Sequence, residues 1–577
     1  MSDLHSLTSE FESRWRPCTP PGGGASIDAL DAAAREVTSR GLAEKLWRRQ
    51  SEVWSDRPDV QRTIANRLGW LDSPEMLAGA LDRLQTFAGQ VRADGFSDVV
   101  LLGMGGSSLA PEVLRAVVGP AAGAPRFHML DSTDPDAVRT AMARVDRTLF
   151  LFASKSGGTI EPNTMAAEAR RRLEAAGVSR WADHFVAITD DGTALHQLAR
   201  RERYRDIFVN PSDIGGRYSA LSYFGFVPAA LMGIDLVRLL AWGRAMLAAA
   251  QAGGVLDNPA IGLGVLMAGA ARAGRDKLTL VAPTALEPFG LWVEQLVAES
   301  TGKNGVGVVP IAGEPPLARY GDDRAFVRMR LAGEPDARTL DDLVTRQAGA
   351  GAPTIALSMA EPLALGAEFV RWEIATAIAG ALLGINPFDE PNVQQAKDAT
   401  RTLLATYAST GALPEPTSDG TVAGAAVSLS RAARAALGTA SPERFLSVLG
   451  AGDYVGLLVY LDPGMPMGAL VRDWRRDVAT RTGCATMFGF GPRYLHSTGQ
   501  LHKGGPNTGV FVVVTAGGVE DLPVPGEPYS FGVLERAQGL GDFASLDQTE
   551  RRALHVHLAD RREATLRAVL DALLSAL

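Results

Sequence analysis

The chain has 577 residues, of which 46% are hydrophobic and 21% are charged. This balance is typical of a globular protein, and the length suits about three or four domains. The formal net charge of −8 argues against nucleic acid as the main partner. Acidic residues near the N-terminus argue against a signal peptide, and no apolar run reaches the roughly eighteen residues of a membrane span. The two cysteines, Cys18 and Cys484, lie far apart in sequence, which favours a reducing, cytoplasmic location.

The pattern of the first 235 residues predicts helices followed by a parallel sheet. Residues 1–50 are mainly helical in pattern, with a Pro/Gly-rich break at 20–24. Over residues 51–235, apolar runs alternate with helical stretches, and this spacing is typical of a doubly wound α/β domain. The predicted strands lie near 98–103, 126–131, 148–153, 184–189 and 206–209.

The turn that follows the third of these strands is the most informative feature of the sequence. Ser154, Ser156 and Thr159 place three hydroxyl groups beside the backbone N–H groups of Gly157 and Gly158, where a helix begins. Free N–H groups, the positive end of a helix dipole and small side chains together favour a bound phosphate. Because the turn lacks the Gly-Lys-Ser/Thr ending of a nucleotide P-loop, we expect a phosphorylated small molecule.

A second glycine-serine turn, from Gly103 to Ser108, follows the first predicted strand. Ligands of doubly wound sheets bind at the carboxyl ends of the strands, so we expect the two turns to lie at one site. The second turn also fits a weaker alternative, a dinucleotide site in which Asp131 would bind the ribose. Ser108 stands where that fingerprint requires its third glycine.

The remainder of the chain predicts a second α/β domain and a third α/β unit. The second domain covers residues 236–407 and includes a long helix near 361–384. Residues 408–439 are predicted to be a linker, because residues 408–427 are rich in Gly, Pro, Ser and Thr. Residues 440–577 form the third unit, whose order of elements echoes part of the second domain. The predicted strands of both lie near 277–283, 307–311, 325–330, 353–357, 454–460, 509–514 and 554–557.

Three later clusters combine glycines with charged residues. Gly-Gly-Arg-Tyr-Ser at 215–219 presents Arg217 from a backbone that a ligand can approach closely. Glu-Ser-Thr-Gly-Lys at 299–303 exposes Glu299 where a helical segment ends, and Asn-Pro-Phe-Asp-Glu at 386–390 leads into a helix.

Two earlier motifs complete the series: Gly-x-Gly-Gly-Ser at 103–107 and Ser-Lys-Ser-x-x-Thr-x-Glu at 154–161. The five motifs, in this order, resemble those of the glucose-6-phosphate isomerase family. The resemblance extends over about residues 60–400. The segment Leu-His-Ser-Thr-Gly-Gln at 495–500 resembles the isomerase half of fused transaldolase/glucose-6-phosphate isomerase proteins, although no transaldolase portion is visible.

The resemblance implies two doubly wound sugar-isomerase domains, followed by the appended α/β unit, and an intramolecular oxidoreductase of glycolysis and gluconeogenesis. It implies interconversion of glucose 6-phosphate and fructose 6-phosphate without a metal or other cofactor. Glu299 matches the catalytic base, Arg217 matches the arginine near the enediolate, and Lys397 matches a lysine that assists ring opening. The positions that match substrate contacts are Gly106, Ser107, Ser154, Lys155, Ser156, Thr159, Gly216 and Glu390.

The chemistry of these residue types supports the same assignment. Aldose–ketose isomerisation moves a proton between C1 and C2, and a carboxylate whose pKa is raised by burial can do this near neutral pH. A guanidinium beside it stabilises the oxyanion without losing its own proton.

Two positions depart from the family. Glu390 stands where the family usually has a glutamine, which puts a direct role in sugar binding in doubt. The family's ring-opening histidine follows the base within a few dozen residues, whereas here the first histidine after Glu299 is His496. Ordinary members receive that histidine from the neighbouring subunit of a dimer. We therefore predict that residues 440–577 fold over the first two domains and supply His496 in cis, in a monomer or a homodimer.

Several alternatives remain open at this stage. The chain would be a non-catalytic sugar-phosphate sensor if the phosphate loop worked without a base, or an isomerase of a related sugar such as mannose 6-phosphate. Lys397 would be an ordinary solvated lysine, and His496 a capping or core histidine, if the resemblance did not extend to them.

Overall fold

The computed structural model describes residues 25–252, 254, 258–518 and 520–577, and these contain three α/β sheets. Helices and strands are numbered here in chain order through those residues. The start of the predicted helical segment and Cys18 lie outside the described part. The part of that segment within residues 25–50 is helical, as predicted.

The first sheet is parallel and has the order β2-β1-β3-β4-β5. Strands β1 and β3 are buried along their whole length, which explains why both appear in the sequence as unbroken apolar runs. The five predicted strands are confirmed to within one residue at each end. The strands are Asp98–Leu102 (β1), Arg126–Leu130 (β2), Thr148–Ala153 (β3), Phe185–Asp190 (β4) and Asp206–Asn210 (β5). The helices are Ala25–Arg40 (α1), Leu42–Trp47 (α2), Pro58–Ala65 (α3), Ser73–Ala78 (α4), Leu81–Ala93 (α5), Leu109–Val117 (α6), Pro135–Ala141 (α7), Ile160–Ala175 (α8), Ala194–Glu202 (α9) and Tyr223–Leu231 (α10).

The second sheet is also parallel and has the order β7-β6-β8-β9. Its strands are Lys277–Val281 (β6), Val309–Ile311 (β7), Arg324–Leu331 (β8) and Thr354–Met359 (β9). Its helices are Leu236–Ala252 (α11), Ile261–Arg272 (α12), Phe289–Thr301 (α13), Ala337–Gly349 (α14) and Leu365–Leu383 (α15), and the next helix along the chain, Val393–Thr410 (α16), packs on Phe531–Gln548 of the third unit. Helices α12 and α15 are buried on almost all sides, and they join the apolar cores of the first two units into one.

The third sheet is mixed and has the order β10-β11-β15-β14-β12-β13. Its strands are Gly420–Val422 (β10), Ala425–Leu429 (β11), Tyr454–Val459 (β12), Ala485–Phe490 (β13), Gly509–Ala516 (β14) and Arg552–Leu558 (β15). Its helices are Arg431–Leu437 (α17), Gly468–Thr482 (α18), Gly499–Gly504 (α19), Phe531–Gln548 (α20) and Glu563–Ser575 (α21). The four strands β12 to β15 pair in parallel and contribute to an apolar core that is separate from that of the first two units.

The prediction of a linker over residues 408–439 is wrong for much of that range. Strands β10 and β11 form a hairpin within it, and β11 pairs antiparallel with β15 at the edge of the third sheet. The two hairpin turn residues, Ala423 and Gly424, both have positive φ, as a tight two-residue turn requires. Small residues and glycine at this edge gave the segment the composition of a linker. Strand β13 was also missing from the predicted strands.

The three sheets repeat one arrangement of parallel strands. Strands β2-β1-β3-β4, β7-β6-β8-β9 and β13-β12-β14-β15 have the same order relative to the chain, which confirms the α/β, doubly wound fold class. In this order the neighbouring strands β1 and β3, and their equivalents in the other two sheets, have connections that leave in opposite directions. Ligands of such sheets bind in the crevice between these two strands. In the first unit this crevice lies between the turns after β1 and β3, which are the two glycine-serine turns. No helix within the described residues is long and apolar enough to cross a bilayer.

Candidate active site

Glycines bring three turns into direct backbone contact beside the crevice of the first sheet. A Cβ atom on Gly106 would lie 2.0 Å from the carbonyl oxygen of Gly216, and one on Gly105 would lie 2.6 Å from the carbonyl oxygen of His496. Gly105 also has a φ of +54°, which favours glycine. The turns that contain Arg217 and His496 therefore meet over the turn after β1, which includes Ser107.

Arg217 is buried, and its guanidinium is surrounded by oxygen atoms. Its Nε donates to Ser300 Oγ at 2.8 Å, and its Nη2 donates to the carbonyl oxygens of Pro387 and Asp389 at 2.7 and 2.9 Å. Its Nη1 lies 3.0 Å from Glu390 Oε2 and 3.2 Å from Glu299 Oε1. Burial lowers the pKa of Arg217, but the two carboxylates outweigh it, so the pKa is raised and the charge is fixed.

Glu299 lies near the carboxyl end of α13 and faces this guanidinium. Burial raises the pKa of Glu299, Arg217 opposes that effect and the nearby carboxylate of Glu390 adds to it, so the pKa lies above its ordinary value. The side chain keeps 11% of its surface exposed, so it is accessible from the site. A buried carboxylate of raised pKa beside a fixed cation can accept and return a proton.

The turn at 386–390 is fastened to this pair by Lys303. The Lys303 ammonium donates to the carbonyl oxygens of Asn386 and Asp389 and to Asp389 Oδ1, the first and last at 2.6 and 2.7 Å. Burial lowers the pKa of Lys303 to about 8. Burial also raises the pKa of Glu390, but Arg217 outweighs it through its charge and hydrogen bond, so the pKa of Glu390 is lowered. Glu390 is therefore an ionised partner of Arg217.

The predicted phosphate loop connects β3 to α8 and is held in shape by its own hydroxyls. Ser154 Oγ accepts from the Gly157 N–H at 3.1 Å and donates to Thr159 Oγ1 at 3.2 Å, while Ser156 Oγ accepts from the Gly158 N–H at 3.3 Å. Ser154 is buried, so its role in the structure is to shape the loop.

Lys155 lies away from the other residues of the loop. Its ammonium forms an ion pair with Asp190 and donates to the carbonyl oxygen of Ser212 at 3.0 Å. Among the described residues, it is not part of the cavity wall formed by Ser156 to Thr159. The structure therefore does not bring Lys155 together with the hydroxyls beside which the sequence places it.

His496 is brought to the first unit from the third. It lies in a short helical turn after β13, and its Nε2 is 2.9 Å from Oε1 of the buried Glu161, 335 residues earlier in the chain. Burial raises the pKa of Glu161, but the charge and hydrogen bond of His496, with the charge of Lys397, outweigh it, so the pKa is lowered. Gln295 connects the two halves of the site, because its Nε2 lies 2.8 Å from the His496 carbonyl oxygen and 3.3 Å from Glu299 Oε2.

A cavity of about 740 Å³ opens between the phosphate loop and His496. Lys397 lines it from the exposed face of α16, as do Glu161 and, from the third unit, Tyr529 and Gln538. Glu299 and Arg217 are not among the residues that line this cavity, and Gln295 connects Glu299 to the backbone of His496 at its wall. Within the described residues, no three or more histidine, cysteine, aspartate or glutamate side chains converge as metal ligands would.

The third unit is docked on both of the others by buried polar contacts. Arg493 makes two hydrogen bonds to Asp131, at 2.7 and 2.8 Å, three residues before His496. Gln500 donates to the carbonyl oxygen of Gly302 and accepts from the Asn392 N–H, and Gly302 lies where a Cβ would come within 2.4 Å of Leu501. Because Asp131 is fully engaged by Arg493, it is not available to a ribose, which counts against the dinucleotide alternative.

Four residues of this arrangement had no role in the sequence analysis: Glu161, Gln295, Lys303 and Gln538. Glu161 and Lys303 are the last positions of two motifs already recognised, so the motifs contained the signal for them. Gln295 lies one helical turn before Glu299 and therefore on the same face of α13. Gln538 has no local signal, because its partners lie in another unit.

Comparisons with known proteins show the family of the chain. A sequence profile of the phosphoglucose isomerase family matches residues 71–308. A glucose-6-phosphate isomerase of Synechococcus sp. (strain CC9605) is 31% identical over 404 residues, which cover 60% of this chain and 75% of that protein. A glucose-6-phosphate isomerase of Cyanothece sp. is 30% identical over 409 residues, covering 60% and 76%.

Solved structures show the same fold. A hypothetical protein from Thermus thermophilus is 25% identical, with a TM-score of 0.55, and the match covers 66% of this chain and 98% of that one. A glucose-6-phosphate isomerase from Chlamydia trachomatis, 20% identical, has a TM-score of 0.51 over 65% and 86% of the two chains. The doubly wound fold and these relatives define an isomerase. The chain belongs to the glucose-6-phosphate isomerase family. The likeness of residues 495–500 to fused transaldolase proteins stays a prediction.

Proposed function

We propose that the protein is a cytoplasmic enzyme that interconverts glucose 6-phosphate and fructose 6-phosphate through an enediolate. One observation supports this most directly: the Glu299–Arg217 pair, the His496–Glu161 pair and the phosphate-loop cavity lie within one chain and are connected through Gln295. A sensor would need the cavity but not the buried base beside its guanidinium.

In this proposal the phosphate group of the sugar binds at the start of α8. Ser156 and Thr159 offer hydroxyls there, and α8 offers its positive dipole end, which the Thr159 side chain does not cap. A Cβ added at Gly158 or at Gly216 would meet no atom of the described residues within 4 Å, so both backbones are open to a ligand. The phosphate contacts supply binding energy from a group that does not react.

Ring opening is assigned to His496 and Lys397. The cyclic sugar opens when the bond between C1 and the ring oxygen breaks, the ring oxygen gains a proton, and the C1 hydroxyl gives its own proton to solvent water, from which His496 is protonated again. His496 donates the proton to the ring oxygen, and Glu161 balances the charge of the imidazolium. Lys397, on the cavity wall, stabilises the oxygen on which negative charge develops.

Isomerisation of the open chain is assigned to Glu299 and Arg217. Glu299 removes the proton of C2, the electron pair forms the C1–C2 double bond, and the C1 oxygen becomes an oxyanion stabilised by Arg217. Glu299 then returns its proton to C1, while the proton of the C2 hydroxyl moves to the C1 oxygen and leaves the ketone of fructose 6-phosphate.

Residues 51–235 and 236–407 are, in this proposal, the two sugar-isomerase domains, and the third unit completes their site by supplying His496 in cis. The third unit then includes the hairpin β10–β11 and begins before residue 440. Because the site needs no second chain, we expect a monomer to be active. Light scattering combined with a rate measurement at low protein concentration tests this.

The reaction is tested with fructose 6-phosphate, by coupling the glucose 6-phosphate formed to a dehydrogenase. We expect turnover by the wild type and its loss in Glu299→Gln, which keeps the shape of the side chain but cannot accept the proton. A folded wild type that binds the sugar phosphate and does not turn it over would contradict the proposal and favour the sensor. If mannose 6-phosphate were turned over faster than fructose 6-phosphate, mannose 6-phosphate would be the preferred substrate.

A further inference from the structure

One oxygen of Glu161 accepts hydrogen bonds from two side chains of the third unit. His496 Nε2 lies 2.9 Å from Glu161 Oε1, and Gln538 Nε2 donates to the same oxygen at 2.7 Å. Glu161 and Gln538 are buried, and all three residues reach the wall of the cavity. Gln538 lies on α20 and belongs to none of the motifs that mark the family in this sequence.

The orientation of the Gln538 amide is fixed from its other side. Thr133, a fully buried residue of the turn after β2, donates its hydroxyl to Gln538 Oε1 at 2.7 Å. An ionised carboxylate only accepts hydrogen bonds, so the amide must present its NH₂ group to Glu161 and its oxygen to Thr133. The three side chains form a directed chain of hydrogen bonds, from Thr133 through Gln538 to Glu161.

The backbone around this chain of hydrogen bonds is held at both ends. Asp131 and Asp134, which flank Thr133 in its turn, pair with Arg493 and Arg561 of the third unit. On α20, Gly541 allows close packing against α16, because a Cβ there would lie 2.9 Å from Thr400 Oγ1. Helix α16 also presents Lys397 to the cavity. The position of Gln538 is therefore coupled to the helix that lines the other part of the site.

We propose that Gln538, oriented by Thr133, is a positioning residue for ring opening. It holds the Glu161 carboxylate in the orientation that aligns His496 with the sugar ring. The inference rests on the proposed role of His496. Without the amide donor, a buried carboxylate loses one of its two side-chain hydrogen bonds and is free to rotate away from the imidazole.

Ring opening can be measured apart from isomerisation. In a Glu299→Gln background the proton transfer between C1 and C2 is blocked, while opening and closing of the ring still interconvert the α and β anomers of glucose 6-phosphate. Exchange NMR spectroscopy gives the rate of that interconversion. The variants are Gln538→Met, which keeps length and volume but cannot donate, Thr133→Val and Gln538→Glu. Ser545→Ala is the matched control, since Ser545 is buried on the same helix and its hydroxyl donates to the Gly541 carbonyl oxygen of that helix.

We expect Gln538→Met to slow anomer exchange by about tenfold or more, a loss typical of misplaced acid–base groups. Thr133→Val should slow it by about threefold, because the amide is kept but no longer fixed. With Glu299 intact, both variants should lower kcat and leave the KM for fructose 6-phosphate within about twofold. Ser545→Ala should change neither rate.

Gln538→Glu gives a readout that a purely structural role would not produce. When ionised, the introduced carboxylate repels Glu161. When protonated, it can donate a hydrogen bond to Glu161 Oε1, as the amide of Gln538 does. Anomer exchange should therefore be lost at pH 8 and should recover as the pH is lowered to 6. The charged or titratable groups that face this carboxylate include His496, Lys397 and Tyr460, whose hydroxyl donates to the Gln538 carbonyl oxygen, and Arg401, Tyr529 and Glu527 lie along the cavity wall. They are unchanged in the Gln538 variant, so the wild type measured over the same range corrects for them.

Anomer exchange in Gln538→Met equal to that in Ser545→Ala, with both proteins folded, would overturn the inference. A Gln538→Glu rate that does not recover at low pH would also overturn it. If Gln538→Met folds poorly, this second test decides the question. His496→Ala distinguishes the ring-opening role of His496 from the positioning role of Gln538. If it abolishes exchange while Gln538→Met does not, only the inference on Gln538 fails. If exchange in His496→Ala is unchanged, the proposed ring-opening role fails as well.

Discussion

Two buried glutamates of the same site, Glu299 and Glu161, have pKa values shifted in opposite directions. Burial raises the pKa of both. Glu299 shares the Arg217 guanidinium, 3.2 Å away, with a second carboxylate, and its hydrogen bond from Gln295 is long at 3.3 Å, so its pKa stays raised. Glu161 has His496 and Gln538 as close partners, and its pKa is lowered. The number of compensating partners decides whether a buried carboxylate is a proton acceptor or a fixed counter-ion.

The backbone supports the same contrast. Glu161 is the second residue of α8, and Glu299 lies in the last turn of α13. The N-terminal end of a helix stabilises negative charge and the C-terminal end destabilises it. Each glutamate therefore lies at the helix end that suits the role proposed for it. One site thus obtains a mobile proton and a fixed charge from the same residue type.

The largest expected effect separates the two glutamates by their reactions. Glu299→Gln should lower isomerisation by about three orders of magnitude and leave anomer exchange near the wild-type rate, because only the C1–C2 proton transfer needs this base. Glu161→Gln should slow anomer exchange, because it removes the charge that balances His496. The coupled assay and exchange NMR on the same preparations give both rates. Equal losses of both rates in both variants would break the comparison.

Arg217→Lys tests the shared guanidinium. A lysine keeps the charge but cannot reach five oxygen atoms at once, so we expect kcat to fall by about a hundredfold. The thermal unfolding temperature should also fall, since the oxygens of Ser300, Pro387 and Asp389 each lose a hydrogen bond from the guanidinium. Arg401→Lys, the same substitution at an exposed position of the cavity wall, is the control. A kcat within a factor of a few of the wild type would contradict the role of Arg217.

Substitutions in the phosphate loop should have an intermediate effect on KM, and Lys155 should matter less than its place in the motif implies. Ser156→Ala and Thr159→Val should each raise the KM for fructose 6-phosphate by about tenfold with a smaller change in kcat, because they act on a group that does not react. Lys155→Met should raise KM less, because its ammonium is engaged by Asp190 and Ser212. Steady-state kinetics of the three variants decides the order, and a larger effect at Lys155 would show that its side chain turns to the ligand on binding.

The smallest effect concerns the second carboxylate at Arg217. The negative charge of Glu390 raises the pKa of Glu299, so Glu390→Gln should lower it. The base is active when ionised, and the acid limb of the pH profile of kcat/KM should therefore move to lower pH while the rate at neutral pH changes little. Asp389→Asn, on the same turn but facing Lys303, is a useful comparison. An unmoved acid limb in Glu390→Gln would show that this charge does not act on the base.

Local patterns in the sequence predicted the parts of the site whose shape depends on neighbouring residues. A buried strand, a glycine-serine turn and a helix start follow one another within a dozen residues, so the phosphate loop and the five strands of the first sheet could be predicted. The hairpin β10–β11 could not, because small residues pair there with the distant β15 and resemble a linker on their own.

The sequence by itself determined the α/β class, the order of the motifs and the residue types at the proposed base, guanidinium and phosphate loop. These depend on the spacing of strands, turns and helix starts along the chain. Only the tertiary structure decided that Lys155 lies toward Asp190, that His496 meets Glu161 in cis, and that Gln538 and Thr133 complete that contact. The contacts of His496 and Gln538 join residues hundreds of positions apart and depend on how one unit packs on another, whereas Lys155 and Asp190 are 35 positions apart and meet across the first sheet. The burial and the partners that set the charge of each glutamate arise only from that packing.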